Sequence, residues 1–219
     1  MKLITRIHNI VNFAVNKGFT GYHSPPEIDN EIYAVIMDTY NEFASEYAKN
    51  SRIRDYMAPF LVTEEKVDKS STDGSFEKPD KFEHSVLLQH EDLTEIEEID
   101  NAAWAFRIKD PVSPPSAEYP ICKFNSTTFS ILPVKNTAAP PVAYPKVLLT
   151  YLKTPTPAVL KYTVQNGRII VNDAGSTEIE FGPLLHNTIR DKVLSALGIN
   201  LREPAIVEYS NAIGGSKVQ

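Results

Sequence analysis

Ten of the chain's sixteen prolines fall between Pro111 and Pro157. Proline cannot donate to a strand ladder and breaks a helix from inside, so this stretch excludes long helices and long central strands. Short strands separated by fixed turns remain, and Tyr119–Phe124, Thr128–Leu132 and Val147–Lys153 are β-branched or aromatic runs of that length. A hairpin is predicted just beyond. Tyr162-Thr163-Val164 and Arg168-Ile169-Ile170-Val171 flank Gln165-Asn166-Gly167, and Asn-Gly supplies the positive φ angles of a tight turn.

The flanks carry a different periodicity. Leu3, Ile7, Ile10, Val11 and Ala14 recur at spacings of three and four, which predicts a first helix ending near Gly18. Ser24-Pro25-Pro26-Glu27 has the form of a capping box with proline at its preferred first helical position. Behind it Ile28, Ile32, Val35, Ile36, Tyr40, Phe43 and Tyr47 keep helical phase to about residue 48. Gly182-Pro183 opens a third helix through Leu185, Ile189, Val193, Ala196 and Leu197, closed by Gly198, and Ile206, Tyr209 and Ile213 give the apolar face of a last one. The polar segment from Asp68 to Lys81 reads as an exposed loop.

The fold expected is therefore α+β: a helical bundle from the N- and C-terminal helices (residues 1–60 and 182–213), with a proline-rich β-strand insertion (residues 61–181) projecting from it and a tail at 214–219. Its 42% hydrophobic content suffices for a core. No apolar run approaches the length of a bilayer span, so no membrane association is expected. His8, Asn9 and Asn12 interrupt what would be the apolar core of a signal peptide. Cys122 is the single cysteine, which excludes an intrachain disulfide and reads as a small buried hydrophobe. The net charge of -6 opposes tight wrapping of nucleic acid.

Reactive chemistry finds little footing. No serine sits in a Gly-x-Ser-x-Gly elbow, and no glycine-rich phosphate loop or dinucleotide fingerprint occurs. His84 and His90 share a face only in a regular strand and lack metal-ligand spacing, while Glu91, Asp92, Glu95, Glu97, Glu98 and Asp100 lack the pattern of a calcium loop. Asp38, Glu42 and Glu46 recur every four residues, as on the solvated edge of a helix that also carries Asp29. A third class, an enzyme of unrecognised type, would need His84 or His186 near a carboxylate in a pocket. No catalytic residue, cofactor or metal is expected, and the chain is read as a non-enzyme.

Several stretches together resemble the connector or ring proteins of crAss-like and related podovirus-type tailed phages. They are Ile53-Arg54-Asp55-Tyr56-Met57-Ala58-Pro59-Phe60, Tyr119-Pro120-Ile121-Cys122-Lys123-Phe124, Leu149 to Pro157, Tyr162 to Arg168, Glu178-Ile179-Glu180-Phe181 and Gly198 to Pro204. The resemblance implies a structural virion protein at the portal vertex, made in the host cytoplasm. It implies a homo-oligomeric ring of twelve copies, in contact with the portal protein and adjacent tail or ring proteins, with genomic DNA passing through the lumen without specific binding. Tyr209, Ile213 and Val218 are then candidates for a docking element. The competing class is a β-rich carbohydrate- or receptor-binding accessory module, for which the ten tyrosines and Trp104 would supply stacking surfaces.

Overall fold

A computed structural model of the chain describes residues 1–16, 23–69, 75–116, 118–132, 146–166 and 168–199. Five helices occur among them: α1 (Leu3–Asn16), α2 (Pro25–Glu46), α3 (Ser51–Met57), α4 (Asn101–Lys109) and α5 (His186–Ala196). The strands are β1 (Leu61–Asp68), β2 (Phe76–Glu77), β3 (Phe82–His90), β4 (Glu97–Glu98), β5 (Ile121–Phe124), β6 (Thr128–Leu132), β7 (Lys146–Lys153), β8 (Tyr162–Gln165) and β9 (Arg168–Val171). The chain divides into two compact units, one formed by Met1–Pro59 with Pro155–Gln219 and the other by Phe60–Thr154.

In the first unit, α1 buries Leu3, Ile4, Ile7, Ile10, Val11 and Ala14, the stripe its spacing predicts. The first N–H groups of a helix have no partner within it. Here the Glu178 carboxylate accepts those of Leu3 at 2.7 Å and Ile4 at 3.3 Å, and Asp173 accepts the Thr5 hydroxyl at 2.6 Å. At the start of α2, Glu27 reaches back to the Ser24 N–H at 2.7 Å, and this bond holds its carboxyl below the usual carboxylate range. Helix α2 buries Ile28, Ile32, Val35, Ile36 and Tyr40, and α5, which packs against both α1 and α2, buries Ile189, Val193 and Leu194. Gly198 closes α5 at φ 73°, a conformation that strains any residue with a Cβ.

The expected helical bundle with a β insertion is not what forms. Among the described residues the fold is mixed α/β with five helices and three sheets. The reason lies in residues 155–181, which sequence patterning groups with the β section. This extended chain belongs to the helical unit and buries Ala158, Leu160, Ile179 and Phe181 there, the last meeting Phe43 edge-on at 6.2 Å. Helices α1, α2 and α5 do pack together, but extended chain meets the start of α1 and fills part of the same core. The last predicted helix and the tail lie outside the described residues.

The second unit holds two sheets, β1-β7-β3 and β2-β6-β5-β4. Pairing is antiparallel except where β4 runs parallel to β5. Val147, Leu149 and Tyr151 alternate along β7 and meet Phe76, Leu88, Ile96, Cys122, Phe129 and Ile131 in one core. Aromatic rings form a continuous path through it: Phe76 to Phe129 at 5.1 Å, Phe129 to Phe124 at 5.1 Å and Phe124 to Phe82 at 5.3 Å. The expected loop from Asp68 to Lys81 is thus partly core, since Phe76 is buried and β2 pairs with β6.

Candidate functional site

Helix α4 starts from the edge of the four-stranded sheet. Glu97 N–H donates to the Pro120 carbonyl at 3.0 Å and Ile99 N–H to that of Cys122 at 2.9 Å, which brings the chain to Asp100 at the helix entrance. The Asp100 carboxylate accepts the Ala103 N–H at 2.7 Å, an N-cap that favours both the orphan donors and the helix dipole. Arg107, in the last turn, donates to Glu97 at 2.9 Å and to the Ser113 hydroxyl at 3.1 Å. The Lys123 ammonium sits 5.3 Å from the Trp104 ring centre. At the far end Asp110 accepts the Val112 N–H at 2.9 Å and ends the helix.

These contacts seat α4 by polar groups, and no residue of the helix is buried. Phe106 is 78% exposed, Ile108 49% and Val112 89%. Leu93 and Tyr119 of the same unit are exposed as well. Fully burying a side chain of the Phe or Ile kind is worth about 1.5–3 kcal/mol, a stabilisation that these exposed residues forgo within the chain. Glu91, Asp92, Glu95, Glu97, Glu98 and Asp100 are all exposed, and a cleft of about 410 Å³ is lined by Glu95, Glu97, Glu98, Glu118 and Tyr119 among others. Hydrogen bonds from Thr94 hold Asp92 below the usual carboxylate range, so it is charged at neutral pH.

The first unit has its own exposed apolar element. Among the described residues strands β8 and β9 pair only with each other, as the expected hairpin, with Gln165 paired to Arg168 in the ladder and Asn166 at φ 52° in the turn. Val164, Ile169 and Ile170 are exposed on this ribbon. A two-stranded hairpin is marginal without a further surface.

The histidines are dispersed. His84 is exposed and His90 buried, because the bulge between Ser85 and Leu87 breaks the alternation that would align them. His186 Nε2 bonds the Phe181 carbonyl at 2.9 Å, and since a carbonyl only accepts, that nitrogen carries the proton. His8 pairs with Asp29 at 2.9 Å, but its ring is 2% exposed and leaves no approach for a substrate. Asp38, Glu42 and Glu46 are exposed, and Glu42 meets Lys192 at 3.2 Å. Burial pushes the Cys122 thiol far up, keeping it protonated and unreactive. Among the described residues no group of three or more His, Cys, Asp or Glu side chains is arranged to hold a metal ion, and no helix is long and apolar enough to cross a membrane.

Tyr209, Ile213 and Val218 lie outside the described residues. The surface of α4 escaped sequence reasoning because Ala102, Trp104, Phe106 and Ile108 alternate around the helix without forming one stripe. The available signal was Asp100 followed by an apolar run, an N-cap pattern inside an otherwise acidic segment. No protein-family model matches this chain, and no curated protein matches it in sequence.

Proposed function

We propose that this chain is a structural assembly subunit: one copy of a homo-oligomeric ring, of twelve subunits, in the head-to-tail connector of a tailed phage of the kind its sequence resembles. The observation that carries the reading is α4, a capped helix with no buried residue that holds Phe106 and Ile108 in water. A second apolar element, the β8–β9 ribbon, belongs to the other unit. Two dissimilar sticky surfaces on one chain suit head-to-tail contacts, which close into a ring when the rotation between copies is right.

In this role the chain works by shape and packing and catalyses nothing. Its partners are neighbouring copies, the portal protein and adjacent tail or ring proteins, with Tyr209, Ile213 and Val218 as the docking element. DNA passes through the lumen, and the net charge of -6 suits a passage that does not grip its cargo. The protein belongs in the virion at the portal vertex.

Native mass spectrometry of the purified chain, alone and mixed with the phage's portal complex, tests this. A closed oligomer or saturable portal binding is the expected result. A chain that stays monomeric and ignores the portal overturns the proposal.

A further inference from the structure

Asn166 is the one asparagine of the chain that is followed by glycine. It is exposed at the tip of the β8–β9 ribbon with φ 52°, and among the described residues its side-chain amide makes no hydrogen bond. Other asparagines are held: the Asn50 side chain accepts the Arg52 N–H at 3.0 Å, and that of Asn172 accepts the Gly175 N–H at 3.0 Å. Asn125, between β5 and β6, is exposed, but Ser126 follows it. The side-chain carbonyl of an asparagine is within one ring closure of the next residue's backbone nitrogen, and a glycine there puts no Cβ in the way. A closed turn keeps the two apart, so the reaction needs local opening. This ribbon opens at little cost, since its strands pair only with each other among the described residues and none of Tyr162–Gln165, Ile169, Ile170 and Val171 is buried.

We propose that Asn166 is a site of spontaneous modification, at which the chain converts its own amide to an acid and rebuilds the turn of the ribbon. The backbone nitrogen of Gly167 loses its proton and attacks Cγ of Asn166. A new N–C bond forms, the Cγ–Nδ2 bond breaks, and ammonia leaves behind a cyclic imide. Water then opens the imide at either carbonyl. Breaking the bond from the nitrogen to Cγ gives aspartate, and breaking the bond to the backbone carbonyl carbon gives isoaspartate, in which the main chain runs through Cβ and Cγ. Either product carries a negative charge at the tip in neutral solution. Isoaspartate also adds a backbone atom inside the turn that pairs Gln165 with Arg168, so the ladder from Tyr162–Val171 to Gln165–Arg168 loses its closure.

The test is peptide mapping of the purified chain aged in mildly alkaline buffer, which favours the deprotonated nucleophile. Trypsin cuts after Lys161 and Arg168, and in the fragment Tyr162–Arg168 the only side-chain amides are those of Gln165 and Asn166. Mass spectrometry with fragmentation should show a growing share of this fragment with an acid in place of the amide at position 166. Most of it should be isoaspartate, and it should appear before any change at Asn50 or Asn125. Gly167→Ala should lose most of the conversion, because a Cβ then crowds the attacking nitrogen. An Asn166 that keeps its amide throughout, or that converts later than Asn50 or Asn125, overturns the proposal. A Gly167→Ala chain that converts as fast as the wild type overturns the cyclic route. Hydrogen exchange reads the consequence: in the converted chain the amides of β8 and β9 should exchange faster while those of α2 and β7 do not change. Equal protection of the ribbon before and after conversion overturns the loss of the turn.

Discussion

Asp29 on α2 holds the backbone N–H of Leu160, 131 residues away in sequence, with both carboxylate oxygens at 3.2 Å. The same carboxylate takes His8 at 2.9 Å and is only 13% exposed. One side chain thus ties α1, α2 and the extended chain of the helical unit together. Asp29→Ala removes the acceptor and leaves two buried polar groups without it, which should cost about 2–4 kcal/mol. Asp29→Asn keeps one acceptor oxygen and should lose less. Thermal unfolding of the two variants checks this; an Asp29→Ala protein as stable as the wild type contradicts it.

Stability should also fall on mild acidification, and His90 is the cause. Its ring is 4% exposed, and burial pushes its pKa below the ordinary 6.5, with Asp92 pulling the other way. The unfolded chain therefore binds the proton more readily than the folded one. Stability from this group is complete above 6.5 and is lost as the pH falls through the lower folded value. Hydrogen bonds hold Glu27, Asp92 and Asp173 below the usual carboxylate range, so their contributions disappear only in more acid solution. The urea midpoint should drop between about pH 7.5 and about pH 5.5, and His90→Gln should shrink that difference. An equal drop in the variant would assign the effect elsewhere.

Much of this architecture was legible because some residues act locally. The Ser24 to Glu27 box, the Asn166 turn and Gly198 each determine their own backbone within a few residues, and each does what its chemistry requires. The apolar stripes of α1, α2 and α5 were equally readable, since burial imposes the helical period directly. What escaped depends on distant partners. Asp29 looks like one more acid on an acidic helix until Leu160 arrives beside it. Phe76 looks like part of a polar loop until Phe129 stacks on it at 5.1 Å. The bulge between Ser85 and Leu87 in β3 separates His84 from His90, and no local pattern marks it. Helices from the two ends of the chain do pack together, as their apolar stripes suggest, but the extended chain that shares their core could not be read from periodicity.

Phe129 is fully buried and touches both Phe76 and Phe124 at 5.1 Å, so it joins the strands of one sheet through their side chains. Phe129→Ala should destabilise the β-rich unit by about 3–5 kcal/mol, the transfer loss plus the cavity left behind. Phe129→Leu should recover a large part of this by filling most of the space. Limited proteolysis is the useful readout, because cleavage should appear first between residues 60 and 154, the bounds of that unit. Early cleavage confined to α1, α2 or α5 would contradict it.

Trp104 is the only tryptophan of the chain, so its fluorescence reports on α4 alone. The Asp100 carboxylate caps that helix, and Asp100→Ala should cost it about 1 kcal/mol. Because no residue of α4 is buried, fraying it exposes little core, and the melting temperature of the whole chain should hardly move. The emission should shift to the red as the ring leaves Lys123 and enters water, and self-association should weaken because the helix no longer presents Phe106 and Ile108 in a fixed geometry. Conversely, assembly of the wild type should shift Trp104 to the blue as a neighbouring copy covers it. Emission that is the same in monomer and oligomer would mean that α4 is not the covered surface, whatever the ring's size.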